Sequence, residues 1–230
     1  MADIAVVDYG MGNLRSVSKA IEHVAPHRTV AVTSDPHVVR AASRVVFPGQ
    51  GAMPDCMREL DARHLREAVM EAARSKPFLG ICIGLQMLFE RSEEGDTPGL
   101  GLLAGRVVRF PHDNLTDAAG QRLKVPHMGW NEVHQTIPHP LWDGIPDRSR
   151  FYFVHSYYPS PAQRELIAGY SLYPFPFACA VAGANLFAVQ FHPEKSQACG
   201  LRLLSNFVDW DGAVPAQTRE TALPEMGPRP

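Results

Sequence analysis

Strand-like and helix-like stretches alternate through residues 4–82, and this alternation predicts an α/β fold. The expected architecture is an open, mostly parallel sheet with helices on both faces. A second observation sharpens it. The apolar run Pro77-Phe78-Leu79-Gly80-Ile81-Cys82 ends in Gly80-Ile81-Cys82-Ile83-Gly84, with Leu85, Leu88 and Phe89 at helical spacing beyond. That is the strand–turn–helix context of a nucleophile elbow, with Cys in place of Ser. Third, the texture changes after Gly95 to short β-like segments separated by Pro, Gly and Asp, which predicts antiparallel additions in the second half.

Each element has a local reason. Ile4-Ala5-Val6-Val7 is apolar and ends at Asp8-Tyr9-Gly10, as a buried strand does. Asn13 can cap a helix whose inner face is Leu14, Val17, Ala20, Ile21 and Val24. Thr29-Val30-Ala31-Val32 reads as a second strand, and Asp35-Pro36 has the cap and first-turn proline of a second helix. Arg44-Val45-Val46-Phe47 is a third strand running into Pro48-Gly49-Gln50-Gly51-Ala52. Residues 55–75 read as helical, with Leu65, Ala68, Val69, Ala72 and Ala73 on one face. Later β-like segments are 107–110, 131–134, 151–155 and 186–191, and a last helix is expected over 200–210 with Leu201, Leu204 and Phe207 inward. One domain over 1–210 follows, with 211–230, rich in proline, as a flexible tail.

Composition narrows the function class. The chain has 230 residues, enough for a full core, with 45% hydrophobic and 20% charged residues. A net charge of −2 and the absence of a Lys/Arg run argue against a nucleic-acid surface. No apolar stretch is long enough to span a bilayer. The acidic start, Met-Ala-Asp, lacks the basic region of a secretory leader, so the mature chain is expected to begin here. The four cysteines (56, 82, 179, 199) form no CxxC pair, which suits neither a disulfide framework nor a zinc site, and a reducing cytoplasm is expected. No metal or cofactor is expected. Gly99-Leu100-Gly101-Leu102-Leu103-Ala104 matches a dinucleotide fingerprint, but no strand precedes it and β-like sequence follows, so it is read as coincidental.

A nucleophilic elbow needs a sharp turn, and Gly80 and Gly84 leave room for backbone that a larger side chain would obstruct. A helix N-terminus beside the sulfur favours the ionised form of a thiol placed there. The same motif also suits a buried structural cysteine between two packing glycines. A Cys nucleophile requires a base, and the base an orienting carboxylate. His192 and Glu194 follow the β-like run 186–191, where residues two apart in a strand share a face. The carboxyl ends of parallel strands meet at one edge of a sheet, so Cys82 and His192 are expected together. The other nine histidines show no comparable partner in the sequence. The oxyanion hole would use the Ile83 N–H and a peptide of the Gly49-Gln50-Gly51 loop, where glycine on both sides of Gln50 allows it to turn inward.

These residues resemble the class I (triad) glutamine amidotransferases, on Gly80-Ile81-Cys82-Ile83-Gly84-x-Gln86 with His192-Pro193-Glu194. Asp8-Tyr9-Gly10-Met11-Gly12-Asn13-Leu14, Pro48-Gly49-Gln50-Gly51-Ala52, Ser92-Glu93-Glu94-Gly95, Val125-Pro126-His127-Met128-Gly129-Trp130-Asn131 and Val189-Gln190-Phe191-His192-Pro193-Glu194-Lys195-Ser196 are similar to the glutaminase subunits of imidazole glycerol phosphate synthases. The resemblance runs to about Phe207. It departs at Ile83 and Gln50, both backbone roles.

The resemblance implies glutamine hydrolysis through a γ-glutamyl thioester on Cys82, with His192 as acid and then base and Glu194 holding the ring. It implies that Gly49, Gln86, Glu94 and the Ser156-Tyr157 backbone hold glutamine. It also implies a heterodimer with a (β/α)8 cyclase subunit, which uses the ammonia to form imidazole glycerol phosphate and aminoimidazole carboxamide ribotide in histidine biosynthesis. Met11, Asn13, Met128, Trp130, Tyr152 and Lys195, expected on loops around the site, would dock that partner. The alternatives are a glutaminase subunit of another synthase, a Cys hydrolase on a related elbow, or a non-catalytic regulatory subunit.

Overall fold

The computed structural model of the chain describes residues 2–111, 115–116, 120, 122–213 and 223–227. Strand β1 (Ile4–Val7), helix α1 (Leu14–Val24), β2 (Val30–Thr33), α2 (Pro36–Ala41), β3 (Arg44–Gly49), α3 (Met53–Ala62), α4 (Arg66–Ser75) and β4 (Phe78–Cys82) alternate as the sequence predicts. Asn13 and Asp35 cap α1 and α2 by accepting from the backbone N–H groups of Ser16 and His37. The helical stretch predicted over 55–75 is two helices, because the chain turns at His64, which has a positive φ of 55°.

Beyond β4 come a single helical turn α5 (Ile83–Gln86) and strands β5 (Phe89–Ser92), β6 (Thr97–Pro98), β7 (Leu103–Arg109), β8 (His127–Glu132), β9 (His134–Gln135), β10 (Arg150–His155), β11 (Tyr157–Pro161), β12 (Ile167–Leu172), β13 (Pro176–Gly183) and β14 (Leu186–Val189). Helix α6 (Gln197–Asp209) closes the order. The main sheet has eight strands in the order β2-β1-β3-β4-β14-β13-β12-β9. Its first five strands run parallel and its last three are antiparallel additions. A four-stranded sheet (β11-β7-β5-β6) and a two-stranded ribbon (β10-β8) form the remainder. Buried side chains from β1 through α6, including Phe47, Phe78, Phe187, Phe191 and Phe207, make one contiguous apolar cluster.

The helix expected through Phe89 stops after one turn, and the reason lies in its carbonyls. Those of Met87, Leu88, Phe89 and Glu90 accept from the backbone N–H groups of residues 99–103 rather than from a continuing helix. A Cβ at Gly99 would sit 2.1 Å from the Phe89 carbonyl oxygen, so this glycine permits a close backbone approach. The GxGxxA stretch is thus a strap against β5. Of the segment assigned to a tail, residues 214–222 and 228–230 lie outside the described residues. Within 223–227, Gly227 N–H donates to the Pro176 carbonyl at 2.8 Å and Arg164 donates to the Pro224 carbonyl at 2.7 Å.

Candidate active site

Strand β4 lies between β3 and β14, parallel to both, so three carboxyl ends meet at one edge. Gly49 pairs with Cys82 and Val189 with Ile81, which puts the loop after β3 on one side of the sulfur and residues 190–194 on the other. Cys82 has φ 56° and ψ −112°, a conformation sparsely populated by a residue with a Cβ. The glycines around it are required sterically. A Cβ at Gly84 would stand 1.8 Å from the Phe47 carbonyl oxygen, and one at Gly80 2.9 Å from Ala188 Cβ. The helix behind Cys82 is one turn only, so its contribution to the sulfur is a few free N–H groups rather than a long macrodipole.

A cleft of about 420 Å³ opens at this edge. It is lined by Gln50, Gly51, Cys82, Ile83, Gln86 and Glu94 and by His155, Ser156, Tyr157, His192 and Lys195. His192 is 1% exposed, and its Nδ1 lies 2.8 Å from Glu194 Oε1. Glu194 reaches the ring from a 3₁₀ turn over Pro193–Lys195, not from a strand pleat, because the chain leaves β14 before His192. The turn is fixed to β10: His192 N–H donates to the Tyr152 carbonyl at 2.9 Å, and Ser196 Oγ donates to the His192 carbonyl and accepts from Tyr152 N–H. Burial alone would lower the His192 pKa, but the Cys82 sulfur and the Glu194 carboxylate outweigh it and push the imidazole up to about 10. Its Nε2 makes no hydrogen bond to another group of the protein and is left for the sulfur and the substrate in the cleft.

The loop after β3 is anchored at its far end. Cys56 Sγ donates to the Gln50 carbonyl at 3.4 Å, and burial pushes that thiol up to about 12, so it stays a donor. Glu94 accepts from Met53 N–H at 2.8 Å, which ties the start of α3 to the cleft wall. Glu94 is therefore a half-buried structural contact as well as a lining residue, not a solvated one. Gly49 is spent in β3 and does not line the cleft.

Two polar residues escaped the sequence reading. Gln190 Oε1 accepts from Gln86 Nε2 at 3.0 Å, and its own Nε2 donates toward Cys82 Sγ at 3.8 Å. Its signal was a polar residue closing an apolar strand two positions before His192. The second is His155, which the sequence leaves without a partner. The structure corrects this: His155 Nε2 meets His127 Nδ1 at 2.9 Å, and its Nδ1 meets the Tyr157 carbonyl at 2.8 Å. Burial, with some repulsion from His127 and His192, pushes His155 down to about 3, and burial pushes His127 down to about 4.

The residues expected on docking loops divide. Met11 and Asn13 lie in the loop after β1, and Lys195 in the turn after His192. Met128, Trp130 and Tyr152 are on strands instead, since β8 and β10 pair along this block with Trp130 opposite Tyr152. Alternation on β8 turns His127 inward and leaves Met128 62% and Trp130 39% exposed.

The comparisons agree with this geometry. The family model for class-I glutamine amidotransferases matches residues 5–210. The chain is 71% identical over 209 residues to the imidazole glycerol phosphate synthase subunit HisH of Thiobacillus denitrificans, covering 91% of this chain and 92% of that one. It is 70% identical over 210 residues to the same-named subunit of Aromatoleum aromaticum, covering 91% and 99%. The solved glutaminase domain of Trypanosoma brucei CTPS, with bound acivicin, shares the fold at a TM-score of 0.61 and 18% identity, covering 94% of this chain and 97% of that one. Among the described residues no helix is long and apolar enough to cross a membrane, and no cluster of His, Cys, Asp or Glu could hold a metal ion.

Proposed function

The chain belongs to the class-I glutamine amidotransferase family, and from that premise we propose that Cys82, His192 and Glu194 hydrolyse glutamine for a cyclase subunit of imidazole glycerol phosphate synthase, in histidine biosynthesis. The observation that carries the chemistry is the cleft in which the elbow cysteine and a Glu-held, buried histidine face one another. The Cys82 sulfur attacks the side-chain carbonyl of glutamine, forming the C–S bond of a thioester. The proton on His192, held there with the help of the Glu194 carboxylate, leaves with the departing ammonia. Water then attacks the thioester, giving its proton to His192 and releasing glutamate and the thiol. Glu194 holds the imidazole through Nδ1 in both steps.

The oxyanion of each tetrahedral intermediate would be met by the Ile83 N–H and by a peptide of the Gly49-Gln50-Gly51 loop. Gln86, 1% exposed, keeps its Oε1 without a partner in a cleft it lines, as an acceptor for the N–H groups of glutamine. Glu94 and the Ser156–Tyr157 backbone would take the α-ammonium and α-carboxylate. Met11, Asn13, Met128, Trp130, Tyr152 and Lys195 form the face for the (β/α)8 partner of a cytoplasmic heterodimer. Docking there reorients the 49–51 loop, so the isolated chain is nearly inactive. Glutaminase rates with and without co-expressed cyclase and its substrate test the proposal. Stimulation on the order of a hundredfold or more is expected, and equal rates, or none in either case, overturn it.

A further inference from the structure

The buried histidine pair beside the cleft has no role in the triad. His127 is 3% exposed and His155 6% exposed. The His127 ring is held flat between Phe153 and Tyr173, at centroid distances of 5.0 and 4.0 Å. Neither ring can reach water freely, so each ring nitrogen must find its partner within the protein.

Both ends of the resulting chain are fixed by backbone groups, which sets every proton in between. At the outer end Asn131 Oδ1 accepts from Glu132 N–H at 2.8 Å and Asn131 Nδ2 donates to the Leu172 carbonyl at 2.9 Å. The amide orientation is therefore settled, and Nδ2 also faces His127 Nε2 at 3.3 Å. A donor there makes His127 Nε2 an acceptor and puts the proton on Nδ1. At the inner end the Tyr157 carbonyl can only accept, so His155 carries its proton on Nδ1 and presents a bare Nε2 to His127. The two deductions meet at the 2.9 Å His127–His155 contact with one donor and one acceptor. The Tyr157 carbonyl also accepts from Gln86 Nε2 at 3.2 Å, and Gln86 in turn holds Gln190 against Cys82.

We propose that Asn131, His127 and His155 are positioning residues for glutamine: a one-way hydrogen-bond chain of two neutral Nδ1–H imidazoles that fixes the Tyr157 carbonyl, and through it Gln86, at the substrate's edge of the cleft. This rests on the glutaminase reading above. Its outer member lies on the strand that carries Met128 and Trp130, so the substrate wall and the docking face share one rigid element. Reversing either tautomer would set two N–H groups, or two lone pairs, against each other at one of the contacts. Removing the chain frees the Tyr157 peptide and Gln86 without touching Cys82, His192 or Glu194.

Two measurements on the full chain with its cyclase partner test this. Long-range proton–nitrogen spectra of the ¹⁵N-histidine protein, assigned with His127→Phe and His155→Phe, should show Nδ1 protonated and Nε2 bare in both rings at neutral pH. An Nε2–H tautomer in either ring, or a charged ring, overturns the proposal. In kinetics, His127→Phe keeps the stacked ring and loses both hydrogen bonds. It should raise KM for glutamine roughly five- to tenfold, with kcat and the rate of Cys82 alkylation by iodoacetamide within about twofold. His127→Asn retains a donor toward His155 and should recover most of the KM. An unchanged KM in His127→Phe overturns the assignment, as does a loss of alkylation equal to the loss of turnover. Should that variant not fold, the tautomers of the wild-type chain decide alone. Absence of glutaminase in the wild-type complex would strike the functional reading instead and leave the tautomer result standing.

Discussion

The cleft has two walls, each with a buried histidine that contacts a neighbour, yet physics drives their charge in opposite directions. On the wall made by the parallel strands, His192 meets Glu194 and the Cys82 sulfur, and its pKa rises to about 10. On the aromatic wall, His155 meets another imidazole and a carbonyl, and its pKa falls to about 3. Burial penalises the imidazolium in both places. Only the first wall supplies negative charge to offset it. The lesson is that the partner, not the depth, decides whether a buried histidine stores a proton or acts as a fixed neutral dipole.

The largest effect should come from making one wall resemble the other. Glu194→Gln removes the carboxylate and leaves His192 buried beside a neutral amide. The ring then loses both its orientation and the charge that holds its proton. Turnover in the complex should fall on the order of a thousandfold, with KM changed little. The His192 titration should also move down from about 10. Retained turnover would remove Glu194 from the mechanism.

A second prediction separates the walls by pH. His127, His139 and His155 are depressed from 6.5 to about 4, 4 and 3, each chiefly by burial. Below pH 6.5 the unfolded chain takes up these protons and the native chain does not, so stability falls with falling pH until the folded values are passed. Each unit of depression is worth about 1.4 kcal/mol, so several kcal/mol should be lost between pH 6.5 and 4. His192 has the opposite sign. Its stabilisation is complete below 6.5 and is lost as pH rises through about 10. Denaturant melts across pH 4–10 check both limbs, and His127→Phe should flatten only the acid one.

The sequence disclosed the first wall better than the second, for a physical reason. The elbow is local: Gly84 must be glycine because the Phe47 carbonyl oxygen would lie 1.8 Å from its Cβ, and a Gly-x-Cys-x-Gly run after an apolar strand announces that constraint. His192 and Glu194 are likewise two residues apart, although a turn rather than a pleat joins them. The parallel half of the sheet follows from the same kind of short-range pattern. The second wall is built from distant pairs. His127 and His155 are 28 residues apart, and Gln86 and Gln190 are 104 apart. No spacing rule joins them before the strands are paired. The shortness of α5 is hidden for the same reason, since the carbonyls of Met87, Leu88, Phe89 and Glu90 just beyond it are claimed by residues 99–103 from across a loop.

The smallest effect is expected where the walls touch. Lys195, beside the catalytic turn, has its Nζ 6.0 Å from the Tyr152 ring centroid, and Tyr152 meets Trp130 edge-on at 6.2 Å. No carboxylate lies within ion-pair distance of Lys195 among the described residues. A cation over a half-exposed ring is worth about 0.5–1 kcal/mol, so Lys195→Met, which keeps the apolar stem, should shift unfolding by less than about 1 kcal/mol. If the charge is instead there for a carboxylate on the cyclase, the same variant should weaken association by about tenfold, more steeply at low salt. The contrast between a small folding effect and a larger binding effect is the informative result. Equal and small effects in titration calorimetry and denaturant melts would make Lys195 a bystander, and would move the docking energy onto Met128 and Trp130.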